Sequence, residues 1–271
     1  MLGILVKAEQ VLDLYSPSRP EWGVTEVALQ CGWPPSSTHL LLSSLTQMGL
    51  LHRTVSGRYR LGFKLLKLSQ ILLHNTPWRE VATQGLQLLS QQTGETSYAA
   101  ALDGDHLITL AARTGRHTAA VPPEQIDEAL PLHVSAAGKV MLAFRTPPIR
   151  LPRRLVRLTP QTISSKAQLL LQLEQIRRLE LAFSLGEAAG GTSAVAAPIF
   201  NHNAEVIAAI SLISPVDRFT VNQTAWANAV ALVARSVSAQ IGYWPEEAGQ
   251  RLLWVSSGGV DSLRTRQKSR S

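Results

Sequence analysis

The sequence predicts an α+β chain in two parts: a small helical unit closed by a hairpin, and a larger unit built on an antiparallel sheet with covering helices. Three observations predict it. Residues 6–49 hold three short helical patterns separated by breaks rich in proline and glycine. Residues 50–62 alternate about a Ser-Gly turn, as a hairpin does. Beyond residue 78, paired strand patterns are interleaved with helical ones, which points to an α+β arrangement.

Taken in order, VKAEQVLDLY (6–15) puts Val6, Val11, Leu12 and Leu14 on one helical face, and SPSRPEWG ends that helix. Thr25 precedes EVALQCG, a second helix that stops at Gly32. Pro34-Pro35-Ser36 opens a third, because proline suits the first helical turn, and Gly49 suits a left-handed C-terminal cap. Two short helices joined by a tight glycine-bearing turn make a helix-turn-helix, and the hairpin LLHRTVSGRYRLG adds a wing. FKLLKLSQILLH (63–74) is an amphipathic connector that ends before Pro77.

In the second part, residues 79–93 read as a helix and SYAAALDGDHLITLAAR as two strands around Asp103-Gly104-Asp105. SAAGKVMLAF opens a helix after Pro131-Leu132-His133, and KAQLLLQLEQIRRLELAF reads as one long amphipathic helix. GTSAVAAPIFNHNAEVIAAISLIS is a hairpin turning at Asn201–Asn203, and a last helix near 221–242 ends at Gly242. From 245 onward periodicity is lost, and a disordered basic tail is expected. The expected boundaries are 1–62 for the winged unit, 63–77 for the linker helix, 78–245 for the larger domain and 246–271 for the tail.

A chain of 271 residues, 45% hydrophobic and 17% charged, is a folded protein rather than a disordered one. Its single cysteine, Cys31, excludes an internal disulfide and a CxxC metal knuckle. It lies in the helix-turn-helix turn beside Trp33, where packing is the better reading for both. No signal-peptide pattern opens the sequence and no apolar run approaches about 18 residues, so a cytoplasmic protein without membrane contact is expected. The formal net charge of +7 sits at the ends: residues 1–75 carry +3, 76–250 carry zero and 251–271 carry +4. A basic small unit beside a neutral large one suggests a polyanionic partner for the first.

Catalytic and metal chemistry find little support. The 7 histidines form no HxxxH or His/Cys cluster, and no GxSxG element appears. Asp103 and Asp105 suit a turn better than an acid/base pair. SGGVDS (257–262) resembles a phosphate loop, but 9 residues follow it, too few for the sheet and helices such a site needs. Arg150, Arg153, Arg154 and Arg157 read as a solvated face.

Two regions carry candidate binding chemistry. On the third helix, Leu41, Leu45 and Met48, with Leu42 beside them, form a packing face. Ser36, Ser37, His39, Leu40, Ser43, Ser44 and Gln47 lie opposite, where hydroxyls can meet phosphates or base edges. On the hairpin, Arg53, Arg58 and Arg60 cluster around Tyr59 as phosphate-binding candidates, ordinary surface charge being the alternative. Ser135-Ala136-Ala137-Gly138-Lys139 places small residues at a helix start, where N–H groups can cradle a ligand oxygen or simply pack tightly.

EVALQCGWPPSSTHLLLSSLTQMGLL, GRYRLG, LPLHVSAAGKVMLAF and GTSAVAAPIFNHNAEVIAAISLISPVDRFT, in this order, resemble the IclR family of bacterial transcriptional regulators over residues 6–245. The resemblance implies a winged helix-turn-helix joined to a GAF-like effector-binding domain. It implies a homodimer or homotetramer that binds double-stranded operator DNA under control of a small-molecule effector. Neither enzymatic activity nor a cofactor is implied. The DNA-binding residues would be Ser36, Ser37, His39, Leu40 and Ser43 on the helix, with Arg53, Arg58, Tyr59 and Arg60 on the wing. Effector-binding positions would be Ala136, Ala137, Gly138, Ser184, Ala194, Ser211 and Ile213.

The chain departs from the family pattern at Leu40 and Pro35, where basic residues are usual. Losing two cations weakens binding and flattens its salt dependence. Ser184, Ala194 and Ile213 stand where the family often has an acidic residue, a cysteine and a serine. The expectation is an effector less polar than a small carboxylate, or a vestigial pocket. The competing classes are a metabolite-binding protein or enzyme with a vestigial DNA-binding domain, and a protein–protein adaptor.

Overall fold

The computed structural model describes residues 3–16, 18–74, 76, 78–117, 130–148, 151–152 and 154–244. The chain divides into two units, Met1–Thr76 and Pro77–Ser271.

The first unit is α1 (Gly3–Leu12), α2 (Val24–Cys31), α3 (Pro35–Gln47), β1 (Leu51–Arg53), β2 (Tyr59–Leu61) and α4 (Phe63–His74). Val11, Trp22, Val27, Leu41, Leu42, Leu45, Leu51 and Tyr59 form its core, so apolar residues of α1, α2 and α3 meet the base of the wing. α2 begins earlier than its sequence suggests, with Gly23 rather than Thr25 ahead of the helix. The cause is a capping box: the Glu26 carboxylate accepts the Gly23 N–H at 3.0 Å. α3 closes through Gly49, at φ 76, and Leu50 N–H bonds back to Leu45 O at 2.9 Å. The closure turns Met48 away from the core, and it is 54% exposed instead of packing with Leu41 and Leu45. At Gly62 the backbone passes so close to Gly49 that an added Cβ would lie 2.2 Å from Gly49 O.

The second unit contains α5 (Trp78–Thr93), β3 (Thr96–Asp103), β4 (His106–Arg113), α6 (Ala136–Phe144), α7 (Lys166–Leu179), β5 (Ala182–Leu185), β6 (Thr192–Phe200), β7 (Val206–Pro215) and α8 (Val216–Gln240). Its five strands pair antiparallel in the order β4-β3-β7-β6-β5. Alternate residues separate two cores. Ala99, Val195, Ala197, Ile199, Ile210 and Leu212 face α5 and α8. Tyr98, Ala100, Ala182, Ala194, Ala196 and Ala209 face α6 and α7.

Two readings of this unit need correction. The long helix expected through Phe183 stops at Leu179, Glu180 turns left-handed at φ 55, and residues 182–185 form edge strand β5. Alternation decides it: Ala182 and Ser184 are buried, while Phe183 and Leu185 pack toward the opposite core. The last helix starts at Val216, directly after the strand, rather than near 221. The tail from 245, with SGGVDS, and Arg150 and Arg153 lie outside the described residues.

Candidate nucleic-acid interface and sensing core

α3 divides cleanly into two faces. Thr38, Leu41, Leu42 and Leu45 are buried. Ser36, Ser37, His39, Leu40, Ser44 and Gln47 are exposed and Ser43 is half-buried. The hydroxyls are not equally available, because serine and threonine readily bond helix carbonyls. Ser37 Oγ donates to Pro34 O and Ser44 Oγ to Leu40 O, each at 2.9 Å. Among the described residues Ser36, His39 and Ser43 have no side-chain hydrogen-bond partner, so their polar atoms face outward uncommitted.

The wing is attached more firmly than its short strands suggest. Trp22 exchanges backbone hydrogen bonds with Tyr59, N to O 2.9 and 2.8 Å, an isolated antiparallel bridge on the edge of β2 away from β1. Tyr59 is 1% exposed and belongs to the core, so it is not a surface contact residue. Its ring supports the sheet from within, because residues alternate faces along β2 and its neighbours Arg58 and Arg60 point elsewhere.

Arg58 is also committed. Its guanidinium holds the Glu26 carboxylate through two bonds of 3.2 and 2.7 Å and donates to Glu21 O at 3.1 Å. Arg19 approaches the same carboxylate at 3.4 Å and lies over the Trp22 ring. The Gly23 N–H first, and Arg58 second, hold the Glu26 carboxyl down at about 2. Arg58 therefore clamps the wing to α2 through a planar bidentate pair. Arg53 and Arg60 have no carboxylate partner among the described residues. Arg53 lies 5.9 Å above the Tyr59 ring, and Arg60 is exposed.

In the larger unit the sequence-expected effector positions fall on one sheet face. Ser184 pairs with Ala194, and Ala194 with Ile213, in a single cross-strand row. The next row on that face joins Ala182, Ala196, Ser211 and Tyr98. α6 packs on this face, and its residues Ala136 through Ala143 are all buried. Its start is capped by Ser135, whose Oγ accepts the Gly138 N–H at 3.0 Å. A Cβ on Gly138 would lie 2.2 Å from Leu132 O, so close packing on residues 131–134 requires glycine there. The hydroxyls of this face are paired internally: Ser184 Oγ donates to Val134 O at 2.7 Å and Ser211 Oγ to Val195 O at 3.1 Å.

Sequence reasoning missed a buried ion pair of this unit. Lys139 is fully buried, and its Nζ lies 2.5 Å from Glu187 Oε1 and 3.0 Å from Phe183 O. Burial pushes the ammonium below its ordinary value, with Glu187 acting against that shift. Glu187 Oε2 is buried without a hydrogen-bond partner among the described residues. No periodic signal joins residues 48 positions apart, which is why the pair was not legible. The Glu26–Arg58 clamp left one trace, a glutamate at the capping-box position of α2.

Among the described residues no group of three His, Cys, Asp or Glu could hold a metal ion. Among the same residues no helix is long and apolar enough to cross a membrane.

Comparison with known proteins adds three findings. Residues 5–54 match the IclR helix-turn-helix domain, and residues 70–239 match the bacterial transcriptional regulator IclR C-terminal domain. The HTH-type transcriptional regulator XynR of Escherichia coli is 31% identical over 211 residues, covering 76% of this chain and 83% of that protein. KipR of Bacillus subtilis, also an HTH-type transcriptional regulator, is 28% identical over 88% of this chain and 97% of its own length. The crystal structure of Thermotoga maritima IclR superposes with a TM-score of 0.70 at 25% identity, covering 90% of this chain and all of that one.

Proposed function

The chain belongs to the IclR family of bacterial transcriptional regulators, and from that premise we propose how its DNA-binding and sensing work is divided. It is a DNA-binding transcriptional regulator, of a family whose members are regulators rather than enzymes. Residues 1–62 form the DNA-binding domain, 63–77 the linker helix and 78–245 the effector-binding domain, with the tail from 246 outside both. The exposed face of α3 enters the major groove by its N-terminal end. Ser36, Ser37, His39, Leu40 and Ser43 meet base edges and phosphates there, while Arg53 and Arg60 neutralise phosphates on the flank. Arg58 and Tyr59 hold the wing in place and do not touch DNA.

The observation that carries this reading is the coincidence on one small unit of an outward polar α3 face and two wing arginines without carboxylate partners. The effector acts at the α6 face of the sheet, around Ala136, Ala137, Gly138, Ser184, Ala194, Ser211 and Ile213. Small side chains and internally paired hydroxyls favour a compact, largely apolar ligand over a dicarboxylate. A second copy of the chain covers α4, whose Phe63, Leu66 and Leu72 are 77%, 56% and 62% exposed. The working form is thus a homodimer or homotetramer, acting in the cytoplasm on double-stranded operator DNA and not as an enzyme.

Selection of bound duplexes from random fragments at low salt tests the DNA-binding part. One enriched sequence with two half-sites about 10 bp apart, or a multiple of that, is the expected result. Absence of any enriched sequence overturns it.

A further inference from the structure

We propose that Leu40 is a specificity-determining residue of the reading helix, seated against the C5-methyl group of a thymine in each half-site. The proposal rests on the reading of α3 as the DNA-entering helix and names what that helix recognises.

Leu40 is 69% exposed, while every other leucine of α3 is buried. It is an isolated apolar group in the middle of a polar stripe. Ser36 lies one turn before it and Ser43 and Ser44 one turn after, at the spacings that make helix side chains neighbours. His39, adjacent in sequence, is exposed as well. Leu40 therefore sits where an incoming duplex surface meets the centre of the helix.

The major groove offers one apolar group for it. Thymine carries a C5-methyl there, whereas cytosine has only a C5–H beside its N4 donor, and guanine and adenine present hydrogen-bonding atoms at N7 and at O6 or N6. A leucine pressed against those atoms would strip their water and return no hydrogen bond, which is costly. Against the methyl it buries apolar area on both sides. The rest of α3 reinforces the preference. It contains no arginine, lysine or asparagine to grip guanine or adenine bidentately, and its one glutamine, Gln47, sits in the last turn. The hydroxyl of Ser44 is spent on the carbonyl of Leu40 itself. Ser36, His39 and Ser43 carry the uncommitted polar atoms around the leucine, and serines discriminate bases weakly. The half-site is therefore anchored by one A·T pair read through its methyl, with looser preference at the neighbouring positions.

The test uses the whole protein on the selected duplex, with each thymine replaced in turn by deoxyuridine, which removes only the methyl. Wild-type affinity falls about fourfold, the equivalent of one buried methyl, at one thymine per half-site. Leu40→Ala binds the parent duplex more weakly and is insensitive to uracil at that same position. Leu40 is exposed and Ala favours helix, so the variant folds. Two results overturn the proposal while leaving the DNA-binding reading intact: no thymine whose methyl matters, or a Leu40→Ala protein as sensitive to uracil as wild type. If no duplex is selected at all, the DNA-binding reading fails and this proposal fails with it.

Discussion

α3 and α6 are both short helices that begin on small residues, Pro35-Ser36-Ser37 in one and Ser135-Ala136-Ala137 in the other, yet they meet their surroundings oppositely. α3 buries one stripe through Leu41, Leu42 and Leu45 and leaves the rest, Leu40 included, to water. Apart from Lys139, α6 is apolar or small all round, and it is enclosed through Ala143. The difference bears on how each binds. The outward face of α3 is open to a partner, whereas every residue of α6 from Ala136 to Ala143 is already buried. On the proposed reading, recognition of DNA is a surface property of this molecule and sensing is a property of its interior.

The contrast breaks first if the interior of the larger unit is not under electrostatic constraint. Lys139→Ala leaves the buried Glu187 carboxylate without its partner, and we expect a loss of about 3–5 kcal/mol from that unit. Lys139→Met with Glu187→Leu restores most of it, because an apolar pair of similar volume avoids the buried charge. Denaturant unfolding of the two variants checks this. A Lys139→Ala protein as stable as wild type would show that the pair does not hold α6 to the sheet.

A smaller effect sharpens the other side of the comparison. The Glu26 carboxyl, held near 2 against an ordinary value of 4.5, favours the folded state when ionised. Its contribution is complete above about 4.5 and is lost as the pH falls from there toward 2. Glu26→Gln should therefore be less stable than wild type at neutral pH, with the difference closing on acidification across that window. Tryptophan fluorescence reports it, since Trp22 sits beside the clamp. A difference that is the same at pH 7 and below pH 2 would remove the ion pair from the account.

Much of this architecture is legible in the sequence, for definite physical reasons. Proline at the start of α3, Gly49 at its end and Ser56-Gly57 in the wing are local signals whose chemistry acts within a few residues. The readings that failed depend on distant partners. β5 follows an amphipathic helix without a break residue, and only pairing with β6 reveals Ala182–Leu185 as a strand. Tyr59 sits among arginines in sequence but faces the core, because strand alternation sends neighbours to opposite sides. Arg58 resembles its neighbours Arg53 and Arg60 until Glu26, 32 residues away, is seen to hold it. In the sensing core the rows joining Ser184, Ala194, Ser211, Ile213 and α6 follow from sheet register, which no single segment displays.

The most direct test of the surface account is the salt dependence of binding to the selected operator, measured for wild type, Arg60→Ala and Arg58→Ala, with folding verified by circular dichroism. Each phosphate contact removed lowers the slope of log K against log salt by about 0.9. The account predicts that drop for Arg60→Ala and an unchanged slope for Arg58→Ala, whose guanidinium is spent on Glu26. An unchanged slope for Arg60→Ala, or a drop for Arg58→Ala, would contradict it.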